Sequence, residues 1–327
     1  MQTLSFFYRV HIYVESGYSN TRFIKIMDSY LAQRAFFNST NYKIHDFSIV
    51  FTTIHEITSF FNKLYHERGC FALMNVQLIA HTQLSDEFKQ TLDYRKYDES
   101  GEYFTNTLDD LHPTDGQAVA LTAIRTCYSA NKPSEIVAKE GEKYFGSKAS
   151  DGGTGTDADR LFRMIVRSGH TSTLEHLSFT FAIEGVSRAL LAQLTRHRVG
   201  FSFSVQSQRY VRMGSDDKIG GFDYVMPNSV KGSTVKEALF RAAMRSHQED
   251  YDALRAQGVP AEDARAVLPQ ATATNLVMTA NLRSLLEFYS KRKPGNGAQK
   301  EIADLAEALR QEVVNVEPWT AQFFEEV

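Results

Sequence analysis

Along the first eighty residues the apolar positions alternate between a strand-like and a helical period. Ser5 to Glu15 sets Phe7, Val10, Ile12 and Val14 among aromatic and β-branched neighbours, the composition of a strand. Thr21 to Phe37 has helical character, and Lys43 to Phe51 reads as a second strand. Ile54, Ile57, Phe60, Phe61, Leu64 and Tyr65 then recur at helical spacing, up to a Gly69 that ends the helix. Phe71 to Ala80 supplies a third strand. This β-α-β-α-β order predicts a small α+β module with its own core. Within it His45, His55, His66 and His81 are scattered and form no chemical constellation.

Residues 84–114 are polar and close at Pro113, a linker or domain edge. The chain therefore divides into an N-terminal module, 1–110, and a main domain, 111–327. In the main domain a helix begins near Gly116, with Ala118, Leu121 and Ile124 on one face. Ser147 to Asp159 is Gly-rich but lacks the Gly-Lys-Ser/Thr of a phosphate loop, so a flexible loop is expected. A helix from Asp159 to Ser168 ends at Gly169, 178–187 alternates as a strand, and Arg188 to Thr195 reads as a helix. Val235 to Gln257 is a long amphipathic helix, followed by a shorter one from Ala261. Asn275 to Arg292 is expected to be a single helix, and Ala298 to Val314 the last one, after a break at Pro294–Gly297. No internal repeat is present.

Composition adds mostly exclusions. A net charge of −3 leaves no global basic surface for nucleic acid. Cys70 and Cys127 sit in no metal-ligand or disulfide framework. No apolar run approaches the roughly 18 residues of a membrane span, and the N-terminus lacks a signal-peptide pattern. A cytoplasmic protein without a metal is expected.

Against that balance, one stretch concentrates cationic donors. Arg196 to Val211, RHRVGFSFSVQSQRYV, holds three arginines, a histidine, three serines and two glutamines. Arginine forks match phosphate and carboxylate oxygens, and the interleaved Phe201, Phe203, Val205 and Tyr210 would hold the segment against a core. Arg265, Arg283 and Arg292 extend the cationic set, and together these arginines would suit a nucleotide and a dinucleotide. Ser207 lacks a Gly-x-Ser-x-Gly elbow, so a hydrogen-bonding role fits it better than a nucleophilic one. His170 and His176 match no zinc spacing.

RHRVGFSFSVQSQRY closely resembles the signature of the flavin-dependent thymidylate synthases, with eight residues between Arg198 and Ser207. RSGHTSTLEHLSFTF (167–181), ARAVLP (264–269), TANLRSLLEFYSKR (279–292), AQKEI (298–302) and IRTCYS (124–129) resemble further blocks of that family, in order. The resemblance covers roughly residues 115–320 and leaves the first hundred outside it. It implies an α+β fold with a mixed sheet and long helices, to which the N-terminal α+β module is added.

The activity it implies is methylation of dUMP to dTMP. Carbon would come from methylenetetrahydrofolate and hydride from FAD, recharged by NADPH, in a homotetramer with shared sites. Carried over residue by residue, FAD would be met by Cys127, His170, Ser172, Arg196, His197, Arg198, Asn281, Arg283 and Glu287. The nucleotide dUMP would be met by Gln193, Arg196, Ser204, Val205, Gln206, Ser207, Gln208, Arg209, Arg265 and Arg292. Arg292 is the expected catalytic group, facing the uracil and favouring its ionisation at N3. The gap from Arg292 to Ala298 is one residue longer than the family's, so Lys293 competes for that role. Neither cysteine has the Pro-Cys-His setting of a thiol-dependent thymidylate synthase, in keeping with a flavin route. Three readings stay open beside it: a hydroxymethylating enzyme, one acting on dCMP, and a non-catalytic nucleotide-binding or RNA-binding protein.

Overall fold

The computed structural model describes residues 11–14, 48–51, 72–93 and 113–326. The chain separates into two compact units, Met1–Cys70 and Phe71–Val327. In the first, β1 (His11–Val14) pairs in parallel with β2 (Ser48–Phe51), His11 opposite Ser48 and Val14 opposite Phe51. Both fall where strands are expected. The two helices expected in this module lie outside the described residues.

The second unit is built on a four-stranded antiparallel sheet. Its strands are β3 (Asn75–His81), β4 (Ser178–Ser187), β5 (Phe201–Val205) and β6 (Ala273–Asn281), in the order β3-β4-β6-β5. The third strand predicted for the N-terminal module is thus β3, and it pairs with β4, Asn75 opposite Glu184 and His81 opposite Phe179. Its alternation fits either partner, and pairing between segments a hundred residues apart leaves no local trace.

The helices enter in chain order as α1 (Asp86–Asp93), α2 (Asp115–Thr126), α3 (Ile136–Phe145), α4 (Asp157–Arg167), α5 (Arg188–Leu194), α6 (Thr234–Ala256), α7 (Ala261–Ala264), α8 (Leu282–Arg292), α9 (Lys300–Val316) and α10 (Ala321–Glu326). α1 lies in the segment read as a polar linker, and α3 was not anticipated. α2 starts where a capping box formed by Thr114 and Gln117 satisfies its first amides. The single helix expected over Asn275–Arg292 is instead β6 followed by α8. Asn275 to Asn281 alternates strictly, with Leu276, Met278 and Ala280 buried and Asn275 and Val277 exposed. Asn281 then caps α8, its side chain accepting from the Ser284 amide.

Phe179, Phe181 and Ile183 of β4 join Leu276 and Met278 of β6 on one face of the sheet. Leu121, Ile124, Leu285, Phe288, Ile302, Leu305 and Leu309 from α2, α8 and α9 cover that face. A second apolar cluster, with Met213, Tyr224, Met244 and Tyr251, forms where α6 packs on the segment after β5. The Gly-rich loop expected to be flexible is pinned. The buried Arg163 guanidinium pairs with Asp151 at 2.8 Å and donates to the Thr154 carbonyl at 3.0 Å. No helix among the described residues is long and apolar enough to cross a membrane.

Candidate active site

The arginine-rich segment leaves the sheet core through α5 and returns along β5. α5 is gripped at both ends by the start of α9. Glu301 accepts from the Ser187 amide and from the Ser187 hydroxyl, each at 2.7 Å, and Ser187 in turn caps α5 by accepting from Leu190. At the other end Gln193 Nε2 donates to Gln299 Oε1. The AQKEI block therefore fixes the helix that carries Gln193 towards Arg196.

A tight turn follows. Gly200 has φ +72°, the left-handed region, and a Cβ there would lie 2.1 Å from Ser284 Oγ and 2.6 Å from Asn281 Nδ2. Ser284 Oγ donates to the Val199 carbonyl at 3.0 Å, and the Asn281 amide donates to the Gly200 carbonyl at 3.3 Å. These bonds fasten the Arg196–Gly200 turn to the N-terminus of α8.

His197 packs edge-on against Phe288, ring centroids 4.9 Å apart, and its Nε2 accepts from Arg292 Nε at 3.3 Å. An accepting Nε2 makes the ring neutral, with its proton on Nδ1. Burial, and next the positive charges of Arg292 and Lys291, hold its pKa below the ordinary 6.5. Arg196 and Arg198 are exposed, and neither side chain meets a hydrogen-bonding or ionic partner among the described residues. Their guanidinium forks suit an anion such as a pyrophosphate.

A second set of residues lies on the segments around the 3₁₀ turn Thr171–His176. Tyr128 Oη and His170 Nδ1 share a hydrogen bond at 3.0 Å, beside the exposed Cys127 at the end of α2. Glu175 of the same turn pairs with Arg283 of α8. Glu287 pairs with Lys291, whose charge lowers the Glu287 pKa. Ser172 is exposed on that turn. Contacts thus join Tyr128 to His170, Glu175 to Arg283 of α8, and Arg292 of the same helix to His197.

A third set gathers at the other end of α5. Arg209 Nε pairs with Glu262 Oε2 at 2.8 Å, and Arg265 Nε donates to the Glu262 carbonyl at 2.9 Å. Ser207 Oγ accepts from the Arg209 amide at 3.3 Å, and no histidine or carboxylate among the described residues bonds to it. Gln206 is held through its amide by the Asn275 carbonyl at 2.9 Å. Gln208 is buried, and its Nε2 has no partner among the described residues. Ser204 is exposed on β5, while Val205 packs against the main core. Seven-residue α5 spans about 10 Å, the scale of one nucleotide, between this set and Arg196–Arg198.

Several residues of these sets were not singled out from sequence. Gln299 and Glu301 stand within the AQKEI block and Tyr128 stands beside Cys127, so adjacency to a motif would have found them. Glu175 stands inside the 167–181 block in the same way, while Glu262 lies outside every block.

The family model described as thymidylate synthase complementing protein matches residues 111–319. The chain belongs to that family. A flavin-dependent thymidylate synthase of Geobacter sulfurreducens is 39% identical over 207 residues, 63% of this chain and 81% of the relative. The one from Clostridium tetani is 33% identical over 218 residues, 62% of this chain and 79% of the relative. Among solved structures, a UMP/dUMP methylase, PolB from Streptomyces cacaoi bound with 5-Br dUMP, superposes with a TM-score of 0.53. It is 22% identical, covering 79% of this chain and 97% of that one, a likeness of fold. The family's matched residues contain all three sets of contacts described above.

Proposed function

We propose that this member of the thymidylate synthase complementing protein family methylates dUMP to dTMP, with methylenetetrahydrofolate as carbon donor, FAD as resident cofactor and NADPH as reductant. The observation that carries the reading is the hydrogen bond from Arg292 to His197. It ties the cation expected at the uracil to the middle residue of the Arg-His-Arg signature. The same contact favours Arg292 over Lys293 as the uracil-facing group.

The donor set fits a flavin dinucleotide. Arg196 and Arg198 would take its phosphates, His197 and Asn281 would lie along it, and Arg283, Glu287, His170, Ser172 and Cys127 would complete its surroundings. FAD supplies hydride transfer when bound. Arg209 and Arg265 would hold the 5′-phosphate of dUMP, Gln193 and the 204–208 segment its sugar and base. Arg292 would lie beside the uracil and stabilise negative charge at N3, raising the nucleophilicity of C5 without a thiol. Exposed Arg196, Arg198 and Tyr210 lie on an open surface. That openness fits a homotetramer in which neighbouring copies close each site. The reading places the enzyme in the cytoplasm, with residues 1–110 as an added module of structural or docking role.

The test is chemical. Purified protein should carry flavin absorbance and, given dUMP, methylenetetrahydrofolate and NADPH, yield a product heavier than dUMP by one methyl group. A hydroxymethyl product, turnover of dCMP alone, or a colourless protein that only binds nucleotide would each overturn it.

A further inference from the structure

Glu140 of α3 stands in none of the blocks that carry the family resemblance. It is buried and accepts from three side chains. Arg125 Nε, near the end of α2, donates to its Oε2 at 2.6 Å. Asn131 Nδ2 donates to its Oε1 at 2.9 Å, and the Ser129 hydroxyl donates to the same oxygen. Ser129 Oγ in turn accepts from the Asn131 amide at 3.0 Å. Burial alone would raise the pKa of Glu140, but Ser129, Asn131 and Arg125 outweigh it and hold it below the usual carboxylate value. The carboxylate is therefore charged and fully met by donors, which makes it a rigid hub. None of these bonds reaches a residue expected at flavin or nucleotide, so any effect of Glu140 on the site passes through another group.

All three donors belong to one short turn. It leaves α2 at Arg125 and closes at Asn131, and the Tyr128 and Ser129 amides both donate to the Arg125 carbonyl, at 2.9 and 2.7 Å. The turn carries Tyr128 outward. That ring is 59% exposed, so packing does not set its direction. It is set by the backbone beneath it and, at its tip, by the 3.0 Å bond between Tyr128 Oη and His170 Nδ1. The backbone of His170 is tied separately. Its amide donates to the Ile165 carbonyl and its carbonyl accepts from Thr173 Oγ1, each at 3.2 Å. With the backbone held, the direction of the imidazole is left to Tyr128. A phenol that donates to Nδ1 leaves the ring proton on Nε2, the nitrogen that can then meet a ligand.

We propose that Glu140 is a positioning residue of the candidate site: by locking the turn from Arg125 to Asn131 it holds Tyr128 against His170, and so fixes the direction in which His170 presents Nε2 to flavin. The proposal rests on the flavin reading given above and adds to it the arm that aims one of its expected contacts.

The experiment titrates FAD into the full chain, as wild type, Glu140→Gln, Tyr128→Phe and the double variant, and follows the His170 ring by histidine NMR and unfolding by heat. Glutamine keeps the size of Glu140 but removes the charge opposite Arg125 and sets an NH2 group among donors. Phenylalanine removes only the hydroxyl and leaves the hub intact. Each single variant should move the His170 ring signals and weaken FAD by at least about fivefold. The double variant should be no weaker than the worse single by more than about twofold, because both cut the same arm. Tyr128→Phe should melt with the wild type, which separates loss of aim from loss of fold. If Glu140→Gln does not fold, Ser129→Ala removes one spoke of the hub and should shift the same signals in smaller measure. Glu140→Gln that melts earlier yet leaves the His170 signals and FAD affinity unchanged overturns the proposal, and so do losses that add in the double variant. A wild-type chain that takes up no FAD defeats the flavin reading instead. The His170 signals then still decide the arm, moved by Glu140→Gln if it holds and unmoved if it does not.

Discussion

Arg292 Nε donates to His197 Nε2 at 3.3 Å, joining the last residue of α8 to the Arg-His-Arg turn. The bond spends one face of the guanidinium on the histidine and fixes the direction of the rest, as a cation acting on developing charge requires. Arg292→Ala should therefore keep its flavin and lose turnover by at least about a hundredfold. Lys293→Ala should stay close to wild type. Steady-state rates and flavin content decide it, and a fully active Arg292→Ala moves the role elsewhere.

The same pair makes a statement about pH. His197 accepts through Nε2 only while neutral, and burial with the Arg292 charge lowers its pKa from 6.5. The unfolded chain then binds a proton there before the folded one does, so stability rises with pH across that interval. Acidification from pH 6.5 down through the lowered value should cost both stability and the Arg292 contact. Histidine NMR should find the His197 midpoint below 6.5, with an acid limb in turnover. A midpoint above 6.5 would contradict the assignment of the accepting nitrogen.

Gly200 is where the arginine-rich turn meets α8. Left-handed backbone costs an L side chain about 1–2 kcal/mol, and a Cβ would lie 2.1 Å from Ser284 Oγ. Gly200→Ala should lower stability by at least about 2 kcal/mol and loosen the Asn281 cap. Urea unfolding measures the first effect and flavin retention the second. A variant as stable as wild type would mean that the turn adapts freely.

Ser207 is bonded to the Arg209 amide and to no base among the described residues. Ser207→Ala should weaken dUMP binding by about tenfold and retain measurable turnover at saturating nucleotide. Loss of all chemistry with dUMP still bound would restore the nucleophile that this geometry argues against.

The legibility of this chain follows the range of the interactions. Alternation marks β4, an amphipathic pattern marks α6, and both are read correctly because their cause is local. Asn275–Arg292 was misread because a strand and a helix abut without a Gly or Pro, and only Asn281, acting as a cap, marks the junction. Arg196, His197 and Arg198 stand out by density of charge. The partner of His197 lies 95 residues away, and nothing in sequence announces that distance. Glu301 is legible as part of a block, but its task of capping α5 through Ser187 is a tertiary fact.

The placement of β3 decides where the N-terminal module can be removed. Asn75–His81 pairs along β4, and Leu78 donates its amide to Glu312 of α9 at 2.7 Å. Met74, Val76 and Leu78 pack against the main core, roughly 1 kcal/mol for each half-buried apolar side chain, so at least about 3 kcal/mol in all. Beyond β3, Lys89 pairs with Asp115 at 2.7 Å. A chain starting at residue 111 keeps the matched family residues yet bares β4 as an open edge, a template for aggregation. A chain starting at Phe71 keeps the strand and the whole second compact unit. The first should express poorly and melt well below the full chain, and the second should melt close to it with its flavin content kept. Equal stability of the two truncations would mean that β3 contributes little, and that the boundary at residue 110 read from composition is the physical one.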